Sequence, residues 1–249
     1  VDDCRGSMCI EVVRNGAILE VTINRPKANA IDAATSREMS SVFDSFMRDP
    51  ELRVAILTGA GTKFFSAGWD LSAANDGESF ESDYGVGGFG GISELKFRPK
   101  PVIAAVAGLA IGIGTTALLH CDLVYAADNA RFQLPFTQLG LCPEAGSSLL
   151  LPLFIGHQRA SSMLLLSEAI DGNEAWRIGI VNQLVAKEDL LEFAFNKAKK
   201  LAALPANAVQ SSKKLMKSGS AVQQAIGLEL ADFSRLLKGP DCQQVIQQF

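Results

Sequence analysis

Polar and apolar positions alternate near the start of the chain, from Leu19 to Ile23. Residues 10–14 and 17–23 lie on either side of Asn15-Gly16, a dipeptide typical of the tight turn in a β-hairpin. The period then lengthens to that of a helix with one apolar face, formed by Met39, Val42, Phe43, Phe46 and Met47. The pattern predicts a hairpin followed by an amphipathic helix, which Asp49-Pro50 ends.

Short apolar runs without alternation mark the interior of the fold. "VAILTG" (54–59), "PVIAAV" (101–106) and "DLVYAA" (122–127) are typical of strands buried on both faces. A short helix is expected between the last two, and "ARFQLP" (130–135) predicts one more short strand. The stretch between 59 and 75 is predicted to be a glycine-punctuated loop, and residues 76–91 a mobile surface excursion.

The second half of the chain is mainly helical in pattern. Short helices are expected near 147–155, 158–167 and 173–178, a strand at "IVNQLV" (180–185), and helices at 188–204, 206–217 and 221–238. The prediction is therefore an α/β core with a helical tail. We divide the chain into a remnant of a cloning tag (1–7), a core (8–200) and a C-terminal helical region (201–249).

Composition narrows the classes of function. The chain has 249 residues, a net charge of −4 and 48% hydrophobic residues, which is an ordinary globular composition. Lys and Arg are not clustered as phosphate binding requires, so no nucleic-acid partner is expected. No cysteine pair has C-x-x-C spacing and only two histidines occur, which argues against a metal site and a disulfide framework. A reducing, cytoplasmic location is expected.

The most apolar part of the chain, Pro101 to Leu119, approaches the length of a membrane span. Glycines and threonines interrupt it and charged residues bracket it, so a strand, a turn and a buried helix are favoured over a span. Its "GIGTTA" (112–117) also matches the G-x-G-x-x-G/A pattern of dinucleotide sites. The glycines of such sites follow their strand directly, whereas "AGLAI" intervenes here, so close backbone approach is the favoured interpretation.

Two glycine turns and one acid are candidates for chemistry. "SAGWDL" (66–71) and "GIGTTA" (112–117) could each be ordinary turns, or could together aim two backbone N–H groups at one carbonyl oxygen. Glu144 is the single carboxylate of "LPFTQLGLCPEAGSS" (134–148). A lone loop glutamate is usually solvated, but apolar surroundings would raise its pKa and make it a base near neutral pH.

Several stretches together resemble the crotonase family, also called the enoyl-CoA hydratase/isomerase family. They are "VTINRPKANAID", "VAILTGAGTKFFSAGWDL", "KPVIAAVAGLAIGIGTTALLHCDLVYAADNARFQLP", "LGLCPEAGSS" and "GIVNQLV". The resemblance implies a spiral of ββα units with C-terminal helices that form a homotrimer or a dimer of trimers. It also implies an acyl-CoA thioester substrate, with coenzyme A as part of the substrate and no other cofactor.

The resemblance also implies site residues by position. The N–H groups of Trp69 and Ile113 would form an oxyanion hole for a thioester enolate. Contacts with CoA or the acyl group are implied for a longer set: Arg25, Lys27, Ala28, Ala67, Asp70, Leu71, Gly112, Thr116 and Phe136.

Two departures from the family pattern decide the expected reaction. Hydratases of the family carry glutamates at the positions of Thr116 and Phe136, and neither residue here can act as a base near neutral pH. Glu144 instead matches the acid of the family's Δ3,Δ2-enoyl-CoA isomerases, so isomerisation with one proton shuttle is predicted. The N-terminal half resembles carnitinyl-CoA dehydratases. A hydratase- or dehydratase-like enzyme, or a catalytically silent acyl-CoA-binding protein, therefore remains an alternative.

Overall fold

The computed structural model describes residues 9–71, 99–216 and 219–247. Strands β1 (Ile10–Asn15) and β2 (Ile18–Ile23) pair in antiparallel fashion, and helix α1 (Ala33–Arg48) follows. Asp32 starts this helix, because its side chain accepts a hydrogen bond from the Thr35 amide. The predicted hairpin and amphipathic helix are confirmed.

The remaining strands belong to two sheets, and those from β3 to β8 alternate between them. They are β3 (Val54–Gly59), β4 (Phe64–Ser66), β5 (Val102–Val106), β6 (Leu109–Ile111), β7 (Leu123–Ala127), β8 (Arg131–Gln133), β9 (Ile170–Asp171) and β10 (Gln183–Val185). Within the described residues, the larger sheet has the order β1-β2-β3-β5-β7-β10 and the smaller β4-β6-β8-β9. Each consecutive pair from β3 to β8 therefore places one strand in each sheet, which is the predicted spiral.

The helices after α1 are α2 (Ile113–Thr116), α3 (Ser147–Ile155), α4 (His157–Leu165), α5 (Gly172–Arg177), α6 (Leu190–Ala202), α7 (Ala206–Leu215), α8 (Gly219–Leu237) and α9 (Pro240–Ile246). A 3-10 turn over Ala117–His120 extends α2. None of the described helices has the length and apolar character needed to cross a membrane. The long apolar run instead contains strand β5, the short strand β6, a glycine turn and helix α2, so the predicted strand, turn and helix are present with one strand more.

The inner strands β3, β5 and β7 of the larger sheet are buried on both faces. From β3, Ala55 and Leu57 face the main core, whereas Val54 and Ile56 face a second apolar cluster that helix α6 covers. This separation follows from the alternation of side chains along a strand. Because both faces need apolar residues, these strands appear in the sequence as continuous apolar runs.

Three predictions of local structure need correction. The stretch between 59 and 75, predicted to be a loop, contains strand β4. The segment between 106 and 122, predicted to be a turn and a short helix, also contains strand β6. Both strands are three residues long, too short to show a period. A further helix, α9, follows the two that were expected to close the chain. Pro240 occupies its first turn, a position that proline favours, so the sequence did carry a signal. The excursion predicted for residues 76–91 lies outside the described residues.

The C-terminal helices are attached to the core by a buried ion pair. The Lys213 ammonium, on α7, lies 2.7 Å from the Asp122 carboxylate and 2.9 Å from the Lys100 carbonyl oxygen. Asp122 also accepts the Val102 amide at 2.8 Å, at the start of β5. Removing one partner of such a buried pair is costly. The division into a core and a trimerisation region stays a prediction.

Candidate active site

The two glycine turns lie side by side at one edge of the smaller sheet. Strand β4 ends at Ser66 and strand β6 ends at Ile111, and the strands pair in parallel with Ser66 opposite Ala110. Parallel neighbours present their carboxyl ends at the same edge. The turns that leave these strands therefore meet, which the sequence alone could not show.

Missing side chains allow the turns to approach closely. A Cβ on Gly68 would lie 2.7 Å from the Ile111 carbonyl oxygen, and Gly68 has a left-handed φ of +87°. A Cβ on Gly114 would lie 2.7 Å from the Ser66 carbonyl oxygen. The Ser66 hydroxyl donates to the Asn29 carbonyl at 2.8 Å and accepts the Gly68 amide at 3.1 Å. These contacts fix the first turn against the second.

Backbone geometry orients the amides of Trp69 and Ile113. Ile31 donates its N–H to the Gly68 carbonyl at 2.8 Å and accepts the Asp70 amide at 2.9 Å, on either side of Trp69. Successive N–H groups of an extended segment point to opposite sides, so the Trp69 N–H points away from Ile31. Ile113 is the first residue of α2, where an amide has no acceptor within the helix. The oxyanion-hole role of this pair stays a prediction.

Glu144 is shielded from water, with only 2% of its surface exposed. Its Oε1 accepts a hydrogen bond from the Thr116 hydroxyl at 2.5 Å, and its Oε2 has no hydrogen-bond partner among the described residues. Burial raises the pKa of Glu144 to about 8, although the Thr116 hydroxyl stabilises the charged form and opposes this shift. Such a carboxyl can both accept and return a proton near neutral pH.

One turn of helix α2 connects the two parts of the site. Ile113 and Thr116 are three residues apart and lie on the same side of the helix. The turn thus carries a candidate oxyanion donor at one end and the hydroxyl that holds Glu144 at the other. Gly112 precedes the helix with a φ of +53°. The structure therefore brings Gly112, Ile113, Thr116 and Glu144 together.

The loop that carries Glu144 has a constrained backbone. Ala145 has a left-handed φ of +56°, which is uncommon for a residue other than glycine, and Gly146 follows at +75°. The His120 ring nitrogen Nε2 lies 2.6 Å from the Ala145 carbonyl oxygen, and the Ser147 hydroxyl donates to the Glu144 carbonyl at 2.6 Å. These contacts hold the carboxylate in place rather than leaving it on a mobile loop.

Position 136 holds a buried phenylalanine and not a second acid. It is buried in the main apolar core and directly precedes the 3-10 turn Thr137–Leu139. Its carbonyl oxygen accepts the Leu141 amide at 2.8 Å, which forms a turn between Phe136 and Leu141. A phenyl ring cannot transfer a proton, so position 136 offers no partner for general acid–base chemistry.

The residues implied in CoA binding lie on two adjacent segments. The Ala67 amide donates to the Ala28 carbonyl at 3.0 Å. The Arg25 guanidinium lies 2.7 Å from the Asp70 carboxylate and 3.0 Å from that of Asp32, so it fixes one segment to the other. Contact with CoA stays a prediction for these residues and for their neighbours Lys27 and Leu71.

Two structurally important residues had been missed. Asn29 has a φ of +52°, and its side-chain amide donates to the Ala60 carbonyl at 3.1 Å and to the Phe64 carbonyl at 2.8 Å. Asparagine tolerates this backbone region, which is the signal that could have identified it. Glu229, on α8, accepts backbone amides of the loop after Glu144. The two segments are 83 positions apart, so no local sequence pattern could have indicated this contact.

Among the described residues, no group of His, Cys, Asp and Glu side chains is arranged to hold a metal ion.

A family model described as enoyl-CoA hydratase/isomerase matches residues 13–249, a range that includes both turns and Glu144. The chain belongs to the enoyl-CoA hydratase/isomerase family. The family predicted from the sequence motifs is therefore confirmed, and the chain is an acyl-CoA enzyme of the crotonase type.

Individual relatives agree with this assignment. Carnitinyl-CoA dehydratase from Escherichia coli (strain K12) is 46% identical over 214 residues, which cover 86% of this chain and 82% of that protein. The structure of Pseudomonas aeruginosa OdaA matches with a TM-score of 0.91 and 37% identity, over 98% of this chain and 99% of that one. A carnitinyl-CoA dehydratase from Mycobacterium avium 104 has a TM-score of 0.88 and 33% identity, with 95% of each chain covered. The crotonase fold is confirmed.

Proposed function

We propose that this enzyme is a Δ3,Δ2-enoyl-CoA isomerase in which Glu144 is the single proton shuttle. The observation that carries the proposal is the buried Glu144 carboxyl group, one oxygen of which has no hydrogen-bond partner among the described residues, with no second acid at positions 116 and 136. A double-bond shift needs one group that takes a proton and gives it back. Hydration needs an activated water in addition.

The proposed reaction conserves the proton that Glu144 removes. Its carboxylate takes a proton from C2 of a 3-enoyl-CoA, and the electron pair of that C–H bond forms a dienolate with negative charge on the thioester oxygen. The amides of Trp69 and Ile113 stabilise that oxygen, and such donors act mainly on the charge that develops in the transition state. The carboxyl group then returns the proton to C4 as the double bond forms between C2 and C3.

Thr116 has a positioning role in this scheme. Its hydroxyl holds Oε1 of Glu144 and leaves Oε2 for the substrate. A threonine hydroxyl is not a base near neutral pH, so the residue keeps the acid oriented without competing for the proton. The buried ring of Phe136 supports the same outcome, because an apolar wall disfavours the water that hydration would require.

A second candidate is water addition or removal of the kind catalysed by carnitinyl-CoA dehydratases. The 46% identity with the Escherichia coli enzyme favours it. In that case Glu144 would act with a partner outside the usual positions. A silent acyl-CoA-binding protein is a third candidate, but the constrained loop and raised pKa of Glu144 are hard to reconcile with a lost activity.

Paired substrates test the proposal. The purified enzyme is expected to convert 3-hexenoyl-CoA to 2-hexenoyl-CoA with a kcat/KM at least about a hundredfold above that for water addition to crotonyl-CoA, because positions 116 and 136 carry no second base to activate water. Product analysis by mass distinguishes the reactions, since hydration adds a water and isomerisation does not. Faster hydration or dehydration would favour the second candidate, and binding without turnover the third.

The pH dependence of the isomerase reaction follows from Glu144. The carboxyl must be ionised to accept a proton, and its pKa is raised to about 8. We expect kcat/KM for 3-hexenoyl-CoA to rise with pH and to level off above about pH 8. The affinity for saturated hexanoyl-CoA, measured over the same range, separates this effect from titration of CoA binding. A flat profile from about pH 6 to 9 would contradict the proposed base.

A further inference from the structure

A second buried carboxylate, Glu229, faces the loop that carries Glu144. It lies on helix α8, whose residues Val222, Glu229 and Phe233 are buried along one side of the helix. Its Oε2 accepts the Gly146 amide at 2.5 Å and its Oε1 accepts the Ser148 amide at 2.8 Å. Both oxygens therefore bind backbone N–H groups two and four residues after Glu144.

The contact is a helix cap made from a distant part of the chain. Gly146 directly precedes helix α3 and Ser148 is its second residue, so both amides belong to the end that lacks acceptors within the helix. A carboxylate at this end is favourable, because the helix dipole makes it positive. Gly146 itself has no side chain that could make this cap.

Packing reinforces the cap. A Cβ on Gly146 would lie 3.0 Å from Val222 and 3.4 Å from Ile226, both on α8. The Cys142 thiol, before Glu144, lies 3.7 Å from the Glu229 carbonyl oxygen. Helix α8 therefore contacts the loop on both sides of Glu144.

The cap also affects the electrostatics at Glu144. Without it, the positive end of α3 would lie two residues from Glu144 and would stabilise its ionised form. With it, those amides are satisfied and a negative charge is added nearby, which after burial also raises the pKa of Glu144. Among the described residues, the groups near this loop also include the Thr116 hydroxyl, the His120 ring and the Cys142 thiol, on which Asp232 and Arg235 of α8 act electrostatically. Burial raises the pKa of Glu229 itself, whereas the Gly146 and Ser148 amides favour its ionised form.

We infer that Glu229 is a positioning residue of the proposed isomerase reaction, which holds the Glu144 loop through the amides of Gly146 and Ser148. Helix α8, in the C-terminal part of the chain, thereby takes part in forming the active site within the same chain. The inference rests on the proposed function, because it assigns Glu229 a role through Glu144.

The test is the Glu229→Gln variant, which keeps the size of the side chain but removes its charge and one acceptor. We expect kcat on 3-hexenoyl-CoA to fall about tenfold to a hundredfold, as small displacements of reacting groups do. The KM is expected to stay within about twofold, since both Glu229 oxygens bind backbone amides of the loop. The pH at which kcat/KM is half-maximal is expected to move down, because the variant removes a negative charge that helps to raise the pKa of Glu144.

Glu38→Gln is the matched control, because Glu38 also accepts a backbone amide, that of Cys9 at 3.0 Å, but from helix α1. It is expected to leave the rate and the pH profile unchanged. A folded Glu229→Gln variant with wild-type kcat would overturn the inference. A lower kcat with an unmoved pH midpoint would also overturn it, because that result indicates a purely structural cap.

Two further measurements keep the inference testable if Glu229→Gln does not fold. Glu229→Asp retains the charge but has a shorter reach, so it is expected to lower kcat with little change in the pH midpoint; full activity would contradict the inference. In the unaltered protein, the Gly146 and Ser148 amides should be protected from hydrogen exchange, and rapid exchange would contradict the inference.

If a Glu144→Gln variant keeps full activity, the proposed function itself fails. If only the Glu229 variants behave as wild type, the inference fails alone.

Discussion

Replacing Glu144 by glutamine is expected to lower kcat on 3-hexenoyl-CoA by about 10²–10⁴-fold, the usual contribution of a general base. Glutamine has nearly the same shape and can still accept the Thr116 hydroxyl through its carbonyl oxygen, but it cannot take a proton from C2. Affinity for hexanoyl-CoA is expected to persist, because the predicted CoA contacts lie on other segments. Initial rates and calorimetric titration measure the two quantities.

The same variant has a predicted effect on stability. Unfolding restores an ordinary glutamate with a pKa near 4.5, whereas in the folded protein the pKa is about 8. Between these values the folded state binds more protons, so burial of Glu144 makes the protein less stable as the pH rises from about 4.5 to 8. Glu144→Gln removes this loss of stability, so the variant should unfold at a higher temperature than the wild type at pH 8, with a smaller difference at pH 5.

Full activity of a folded Glu144→Gln enzyme would exclude Glu144 from the mechanism.

Gly114→Ala is the substitution expected to damage the proposed oxyanion hole most directly. The new Cβ would lie 2.7 Å from the Ser66 carbonyl oxygen, a backbone atom, so helix α2 must move away from the turn that carries Trp69. Because Ile113 moves with the helix, the two donor amides would no longer face one oxygen. Loss of one such donor costs about 10²–10³ in kcat. We expect a decrease of that size in kcat/KM, together with a lower unfolding temperature.

Gly227→Ala is the matched control for this prediction. Gly227 lies within helix α8, is exposed, and has no atom within 4 Å of the added Cβ. Alanine is favoured over glycine inside a helix, so the free energy of unfolding should rise by about 0.5–1 kcal/mol with unchanged kinetics. Equal kinetic losses in both variants would show that the close approach at Gly114 is not what shapes the site.

Membership of a family with dehydratase relatives does not decide the reaction of this enzyme. In the proposed mechanism the thioester oxygen is held by the backbone amides of residues 69 and 113, which are present whatever the side chains at those positions. The reaction depends on which carboxyl groups reach the acyl carbons. A 46% identical carnitinyl-CoA dehydratase and an isomerase can therefore share a fold and differ at a few reacting positions.

The sequence by itself determined the elements with strong local patterns. The hairpin was predicted from its Asn15-Gly16 turn, helix α1 from its period of 3.6 residues, and the buried strands β3, β5 and β7 from short continuous apolar runs. It also identified Glu144, since a single acid between apolar residues stands out in any context. The motifs of the family added the turns at 66–71 and 112–117, whose pattern alone fits ordinary turns equally well.

Only the tertiary structure decided which of these pieces meet. Strands β4 and β6 are too short to be predicted, yet their parallel pairing brings the turns at Gly68 and Gly112 to one edge. The hydrogen bond between Thr116 and Glu144 joins residues 28 positions apart, and the Glu229 cap spans 83. Such contacts depend on how whole elements pack, which no local period encodes. The sequence thus supplied the acid and the donors, and the packing of distant segments made them one site.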